Sequence, residues 1–442
     1  MADAKPAKDG FRTYAGLTFL IGFGFFTMGL MDPLYDTYVP LFLGRYIDSK
    51  TAIGGVMTLD NVLQLLLIPF ISVWSDRTRT RIGRRMPFIV VMLPISAALF
   101  SLIPPLAAFS LPALIGIIFL FNIFKTSVRG PVVALMPDTI PGDYRSEANG
   151  VINMMGGIGL TVSTLILARF MVIRESLPFN IASGGILLAV LVLLIFVRER
   201  LPEKQEETEE KISVWTSVKQ VFAPKRTEGE PERDSSVIRI LISLFLWFTA
   251  YEGAKPFLSL FLVEVMGAAP GSAAQPQGVA GLASVIMAVP AGYLAHRLGR
   301  RRFIRLSLSL LALVLFLIPI SGLIAPRAGL GPAGALVIFL ALMFLYGAVW
   351  IGVVVNSFPM LWQMASFGTM GIYTGLYYLF SQSAAILAPP ITGAIIDLAG
   401  FWGIFIFGGL CMLGAWFVMG GVKAGEPREK QPLVSKNNRR VA

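Results

Sequence analysis

A chain of 442 residues that is 55% hydrophobic and 14% charged carries about half the charge of a soluble globular protein, which excludes an ordinary water-soluble domain and points into a bilayer. Its net charge of +11 does not indicate nucleic acid, because the basic residues sit in short caps between apolar runs and form no continuous face. A single cysteine, Cys411, rules out an internal disulfide, and a single histidine, His296, argues against a histidine-built metal site.

The N-terminal MADAKPAKDG is polar and lacks the apolar core of a cleaved signal, so the first hydrophobic segment is expected to stay. A hydrocarbon core about 30 Å thick needs about 20 apolar residues per helix. On that basis twelve spans are predicted, at 14–43, 52–75, 86–108, 112–136, 147–172, 180–198, 237–266, 276–296, 303–324, 331–359, 366–390 and 400–421. The first carries Asp32 and Asp36, one turn apart on one face. The second carries Asp60 and Gln64, and the fourth carries Lys125 and Arg129, again one turn apart. Asn149 and Asn153 follow in the fifth, Glu252 and Lys255 in the seventh, Trp350 and Asn356 in the tenth, and Tyr373, Tyr377 and Gln382 in the eleventh.

A charge at the bilayer centre costs at least about 2.5–3.5 kcal/mol on insertion scales, so each of these ions is a functional candidate. At 1.5 Å per residue, Asp32 and Lys125 lie roughly 16 and 20 Å from the outer ends of their spans, depths that suit a pair. Asp36 and Asp60 come out at roughly 10 to 12 Å, where they would line an outward cavity. The acidic face of span 1 is expected to oppose the basic face of span 4, and Glu252 to sit beside Lys255. Such groups either neutralise one another permanently, or accept a proton on Asp32 or Glu252, or bind substrate hydroxyls. Gln64, Asn153, Tyr377 and Gln382 offer the polar and ring contacts that a sugar needs, although singly such residues also tie helices together or pack.

Residues 199–236 are charged and rich in Glu and Lys, and divide the chain into halves 1–198 and 237–422, with a tail at 423–442. Inside this linker, SVWTSVKQVF (213–222) is either a short amphipathic surface helix or part of a disordered tether. With the N-terminus inside, 29 of the 37 Lys and Arg fall on the inner side and 5 on the outer. The positive-inside rule therefore places both termini in the cytoplasm of a multi-pass cell-membrane protein.

Two of the inner loops match. WSDRTRTRIGRRMPFI (74–89) joins spans 2 and 3, and AHRLGRRRFI (295–304) joins spans 8 and 9. Gly83-Arg84-Arg85 and Gly299-Arg300-Arg301 lie 216 positions apart, close to half the chain. They read as equivalent corners of two repeats, the pattern of transporters whose halves rock about a central site.

These corners resemble the signature of the major facilitator superfamily: Gly, three residues, Asp-Arg/Lys, one residue, then Gly-Arg-Arg/Lys. The second copy, from Gly292 to Arg301, fits except for His296 in the Asp position; the first has Ser72 for the leading Gly and a four-residue insertion. RTRTRIGRRMPFI, RGPVVALMPDTIPGDYRSEANG (129–150) and MGIYTGLYYLFSQSAAILAPPITGAIID (370–397) are similar to the glycoside–pentoside–hexuronide:cation symporters and the related proton-coupled sucrose transporters. The resemblance implies an all-α membrane protein of twelve transmembrane helices in two pseudo-symmetric six-helix bundles. Such a protein works as a monomer without a cofactor and moves a small glycoside or disaccharide with a proton. It further implies a cytoplasmic gate built from Asp76, Arg77, Gly83, Arg84 and Arg85 with Asp138 and Arg145, and a second copy at Arg297, Gly299, Arg300 and Arg301. The bland alternative is that these arginines only set topology. Sodium-coupled relatives carry two helix-2 aspartates at sites that fall on Gln64 and Ile68 here; Ile68 offers no oxygen ligand, which favours a proton. Efflux of an amphipathic compound or lipid, and a membrane sugar sensor that moves nothing, are the competing functions. No P-loop, HExxH or GxSxG element suggests an enzyme.

Overall fold

The computed structural model describes residues 11–141, 144–199, 236–327, 329–364 and 370–423. The body of the expected linker with its SVWTSVKQVF segment, and the tail beyond residue 423, lie outside the described residues. The named elements among the described residues are all helical. In chain order they are α1 Arg12–Leu43, α2 Lys50–Arg77, α3 Met86–Phe109, α4 Leu111–Thr139, α5 Arg145–Val172 and α6 Leu177–Phe196. Then come α7 Ser236–Val265, α8 Gln275–Leu298, α9 Arg300–Arg327, α10 Pro332–Trp362, α11 Met370–Ala399 and α12 Gly403–Met419. Eleven are long and apolar enough to cross a bilayer; the twelfth, of 17 residues, is shorter.

Local chemistry explains where several begin and break. Ser49 and Ser110 cap α2 and α4, their hydroxyls accepting from the amides of Ala52 and Ala113. Helix α5 passes into a π turn at Val162–Ile166 and a 3-10 stretch at Leu167–Val172. In α7 the α-helix stops at Ala254, a 3-10 turn covers Lys255–Phe257, and a π turn covers Phe261–Val265. Pro256 supplies no amide hydrogen and crowds the preceding turn, so the break falls there. The expected end of span 11 at residue 390 is corrected: α11 continues through Pro389 and Pro390 to Ala399. Prolines stop helices in water, whereas in a packed bundle neighbouring groups satisfy the freed carbonyls.

The two halves repeat their packing. Helix α1 packs on α5 and α6, α3 on α4 and α6, and α2 on α4. Each pairing recurs six helices on: α7 on α11 and α12, α9 on α10 and α12, and α8 on α10. The halves meet along α2–α11, α5–α8 and α1–α7. Aromatic clusters fill both interiors, around Tyr35, Phe42, Phe100, Phe121 and Phe179 in one and Phe261, Phe339, Trp402 and Phe405 in the other. The outside is apolar too, with Leu66, Phe70, Leu188, Ile195, Val289 and Val337 exposed, as a bilayer requires and water would penalise. Because six helices separate the two arginine loops, both emerge at one end of the bundle, here the arginine end; the opposite one is the Asp397 end.

Candidate functional site

Between the halves lies a cavity of about 470 Å³. From the first half, Asp32, Asp36, Arg129 and Asn153 line it; from the second come Tyr251, Lys255, Gln277, Ser284, Tyr346 and Trp350. Tyr251 and Trp350 stack with ring centroids 4.5 Å apart and planes 3° apart. Tyr346 continues the stack at 6.2 Å and 7°. One wall is thus a flat aromatic face, and the facing wall is ionic.

The membrane charges form two groups around this space. Lys125 Nζ lies 3.0 Å from Asp32 Oδ1 and 3.8 Å from Asp60 Oδ2, with Arg129 Nη1 3.7 Å from Asp32 Oδ2. Lys125 also sits over the rings of Tyr35 and Phe121, which helps hold a desolvated ammonium. In the second group, Lys255 Nζ lies 2.8 Å from Asp36 Oδ2 and 3.9 Å from Glu252 Oε2. Four carboxylates thus surround three cations.

Several sequence expectations change. Asp32 meets the basic face of α4 as expected, but Asp36 does not: it reaches across to Lys255 on the other half. The broken turn of α7 packs directly on α1 and delivers Lys255 to the position one turn beyond Asp32. Glu252 is only the more distant partner of its own helix neighbour. Asp36 was expected to line an outward cavity; it lines the space between the halves while the Asp397 end is closed. Asp60 is buried behind Lys125 and accepts from Gln64 Nε2 at 3.4 Å, so neither it nor Gln64 lines the cavity. Asn153 does line it, held by the carbonyl and side-chain oxygens of Asn149 at 2.8 and 3.0 Å. The Tyr377 hydroxyl pairs with Ser357 Oγ at 3.2 Å beneath Phe358, and Gln382 is half-buried on α11; both stand outside the lining. Gln277, Ser284 and Tyr346 were missed. Ser284 Oγ donates to Gly347 O at 2.8 Å and ties α8 to α10. Tyr346 was legible, since it precedes Trp350 by one turn on the same face.

The Asp397 end is sealed across the halves. Asp397 accepts from Ser49 Oγ at 2.9 Å, Lys50 N at 2.7 Å, and Thr51 N and Oγ1 at 2.9 and 2.7 Å. This carboxylate of α11 therefore caps the N-terminus of α2, where free amides and the helix dipole favour an anion. Lys50 Nζ reaches Glu264 at 2.9 Å, and the Tyr38 hydroxyl donates to Pro270 O at 3.2 Å.

At the arginine end, the ion pairs among the described residues stay within the first half. Arg84 grips Asp138 through Nε at 3.0 Å and Nη2 at 2.5 Å. Arg85 donates to Asp138 at 2.8 Å, to Ser75 Oγ at 2.9 Å and to Asp76. The hydrogen bond to Asp138 holds the Arg84 guanidinium above its ordinary pKa. Glu199 completes the clamp: fully buried, it accepts from the Arg85 amide at 2.8 Å and lies 3.7 Å from Arg84 Nε. Sequence reading missed it because it stands at the edge of a charged linker. Gly83 and Gly299 both adopt positive φ, 115° and 84°, a conformation that other residues rarely take. Two members of the expected gate are placed differently. Arg77 is exposed and makes no ion pair among the described residues. Arg145 donates to the carbonyls of Pro137 and Ile140, so it holds a helix end and, among the described residues, no carboxylate. In the second copy Arg301 donates to Gly420 O, Arg297 lies 4.5 Å over the Tyr293 ring, and Arg300 is half-buried.

A family model described as the Major Facilitator Superfamily matches residues 17–389. The chain belongs to the Major Facilitator Superfamily. This facilitator is a multi-pass membrane transporter. Its fold is similar to that of a nucleoside transporter, NupG (TM-score 0.69, 12% identity, 92% of this chain and 100% of that one). A peptide transporter, POT (TM-score 0.68, 15% identity, 93% and 95%), is also similar. So is a bacterial homologue of the iron transporter ferroportin, solved in an inward-facing state (TM-score 0.66, 15% identity, 91% and 98%). Among curated proteins, the human Hippocampus abundant transcript-like protein 1 is 26% identical over 283 residues, 60% of this chain and 53% of that protein. The facilitator thus spans about half the length of that relative.

Proposed function

We propose that this transporter imports a small glycoside or disaccharide together with a proton, by alternating access, in the cell membrane. The observation that carries the proposal is the odd charge of the buried cluster. Asp32, Asp36, Asp60 and Glu252 face Lys125, Arg129 and Lys255, which leaves one negative charge over. An uncompensated ion in a bilayer is costly, and one proton removes it. The cavity's size suits a small ligand. Its stacked rings offer a flat face to the C–H surface of a pyranose, and Asn153, Gln277, Ser284 and the ions offer partners for hydroxyls.

By the positive-inside rule the arginine end is cytoplasmic, so the seam at Asp397 corresponds to the inward-facing state. The halves would then rock to break that seam and expose the cavity outward. Radiolabelled sugars offered to proteoliposomes test the reading. Accumulation driven by an inward proton gradient is expected, and equal uptake with and without the gradient sinks the coupling. Binding without flux would indicate a sensor. The apolar share of the lining, including Phe25, Met28, Leu160, Leu258 and Met343, favours amphipathic cargo as the second reading. Inhibition of uptake by alkyl glycosides more strongly than by free sugars would support it.

A further inference from the structure

We infer that Asp36 is the carboxylate that carries the coupled proton, and that Lys255 of the opposite half loads and unloads it. The inference rests on the symport reading and names its working group. The four carboxylates of the cluster differ in one respect, which is where their cations live. Asp32 on α1 and Asp60 on α2 share Lys125 of α4, and Arg129 of α4 stands behind Asp32. All of these belong to one half, so a rocking motion leaves them together. Glu252 and Lys255 lie on one helix three residues apart and also travel together. Only Asp36, among these four, takes its nearest cation from the other half, at 2.8 Å.

The motion that opens the Asp397 end must part α1 from α7, because these helices meet beside that seam. Lys255 then keeps Glu252, and Asp36 keeps nothing. The groups that stay around Asp36 are Tyr35 and Asp32 on its own helix, Asp60 from α2, and Lys125 and Arg129 from α4, while Tyr251 and Glu252 leave with α7. Asp32 and Asp60 already hold Lys125 and Arg129, so a separated Asp36 has no cation of its own. A carboxylate that loses its cation among other carboxylates binds a proton more readily. Asp36 and Lys255 both line the cavity, which gives the proton a water path. When the seam closes, the ammonium returns to Asp36 and the proton leaves toward the arginine end. Lys255 begins the 3-10 turn at Pro256, so it sits at the joint of α7. The sign follows: Asp36 is charged with the Asp397 end closed and protonated with it open, so acid favours opening there.

The test needs no substrate. Spin labels at Ile173→Cys and Leu398→Cys, exposed residues of opposite halves at the Asp397 end, would be placed in a Cys411→Ala background in lipid nanodiscs. The inter-label distance distribution is then followed from alkaline to acid pH. The parent should shift from a short to a long distance as pH falls. Asp36→Asn should lose that shift and rest at the long distance; Lys255→Gln, altered on the other half, should lose it as well. Asp32→Asn and Glu252→Gln should keep it. Asp36→Asn or Lys255→Gln titrating like the parent would overturn the inference. So would loss of the shift in Asp32→Asn alone. Gradient-driven sugar uptake by the parent is measured in parallel. If the distance shifts with pH but no sugar accumulates, the sugar reading fails and the assignment of Asp36 stands.

Discussion

Arg85 binds carboxylates from two helices, Asp76 of α2 and Asp138 of α4, and the Ser75 hydroxyl besides. Asp138 in turn serves both Arg84 and Arg85. The side chains of Arg85 and Asp138 are 6% and 10% exposed, so removing the Asp138 charge leaves Arg85 with Asp76 alone and Arg84 with Glu199 alone in a poorly hydrated site. Asp138→Asn should therefore lower stability by about 3 kcal/mol. Arg77→Ala, an exposed change with no ion pair among the described residues, should stay within about 0.5 kcal/mol. Thermal melts in detergent check both; a larger loss from Arg77→Ala would put the latch where the sequence suggested. The contrast marks the limit of reading residues in line. That Asp76 belongs with the loop arginines was expected from the sequence, but which arginine it takes depends on the turn at Gly83. Likewise Asp36 looked like a partner for α4 until the break at Pro256 brought Lys255 closer.

Helices α2 and α11 cross closely enough to exclude a side chain. A Cβ at Gly54 would lie 2.4 Å from Pro389 O, and one at Gly393 would lie 2.3 Å from Lys50 O. Since no backbone oxygen can yield that far, Gly54→Ala and Gly393→Ala should force the halves apart at the Asp397 end and lengthen the Ile173–Leu398 label distance. Gly55→Ala, with nothing within 4 Å of its Cβ, should leave that distance unchanged. A parent-like distance in Gly54→Ala would mean that the seam is not held by this crossing. At this scale the sequence was a good guide to the helices, because apolar runs of bilayer length leave few alternatives. It ended the eleventh span at 390, nine residues short of the end of α11 at Ala399. It was silent on the α2–α11 crossing, because the glycines that permit it are two among 44 and close approach is a property of pairs.

For the molecule as a whole, the repeat in packing puts both arginine corners at one end. Single cysteines at Arg79 and Arg302, both exposed, should react with a membrane-impermeant maleimide from the same side of sealed vesicles. Labelling from opposite sides would overturn the shared topology and with it the alternating-access reading. The repeat itself was written in the 216-residue offset of Gly83 and Gly299, and both glycines take the same unusual backbone region. The cavity's aromatic wall was legible only in part: Tyr346 and Trp350 lie one turn apart in the sequence, but nothing in it shows that Tyr251 of α7 stacks on them.

The unequal tally of acids and bases around the cavity has an electrical consequence. With its proton aboard the cluster is neutral, and reorienting it moves no charge through the membrane field. Without the proton it bears a single negative charge, and each 100 mV acts on one elementary charge with about 2.3 kcal/mol. A negative cell interior would then push the vacant carrier outward, so voltage would hasten the return stroke and leave the delivery stroke untouched.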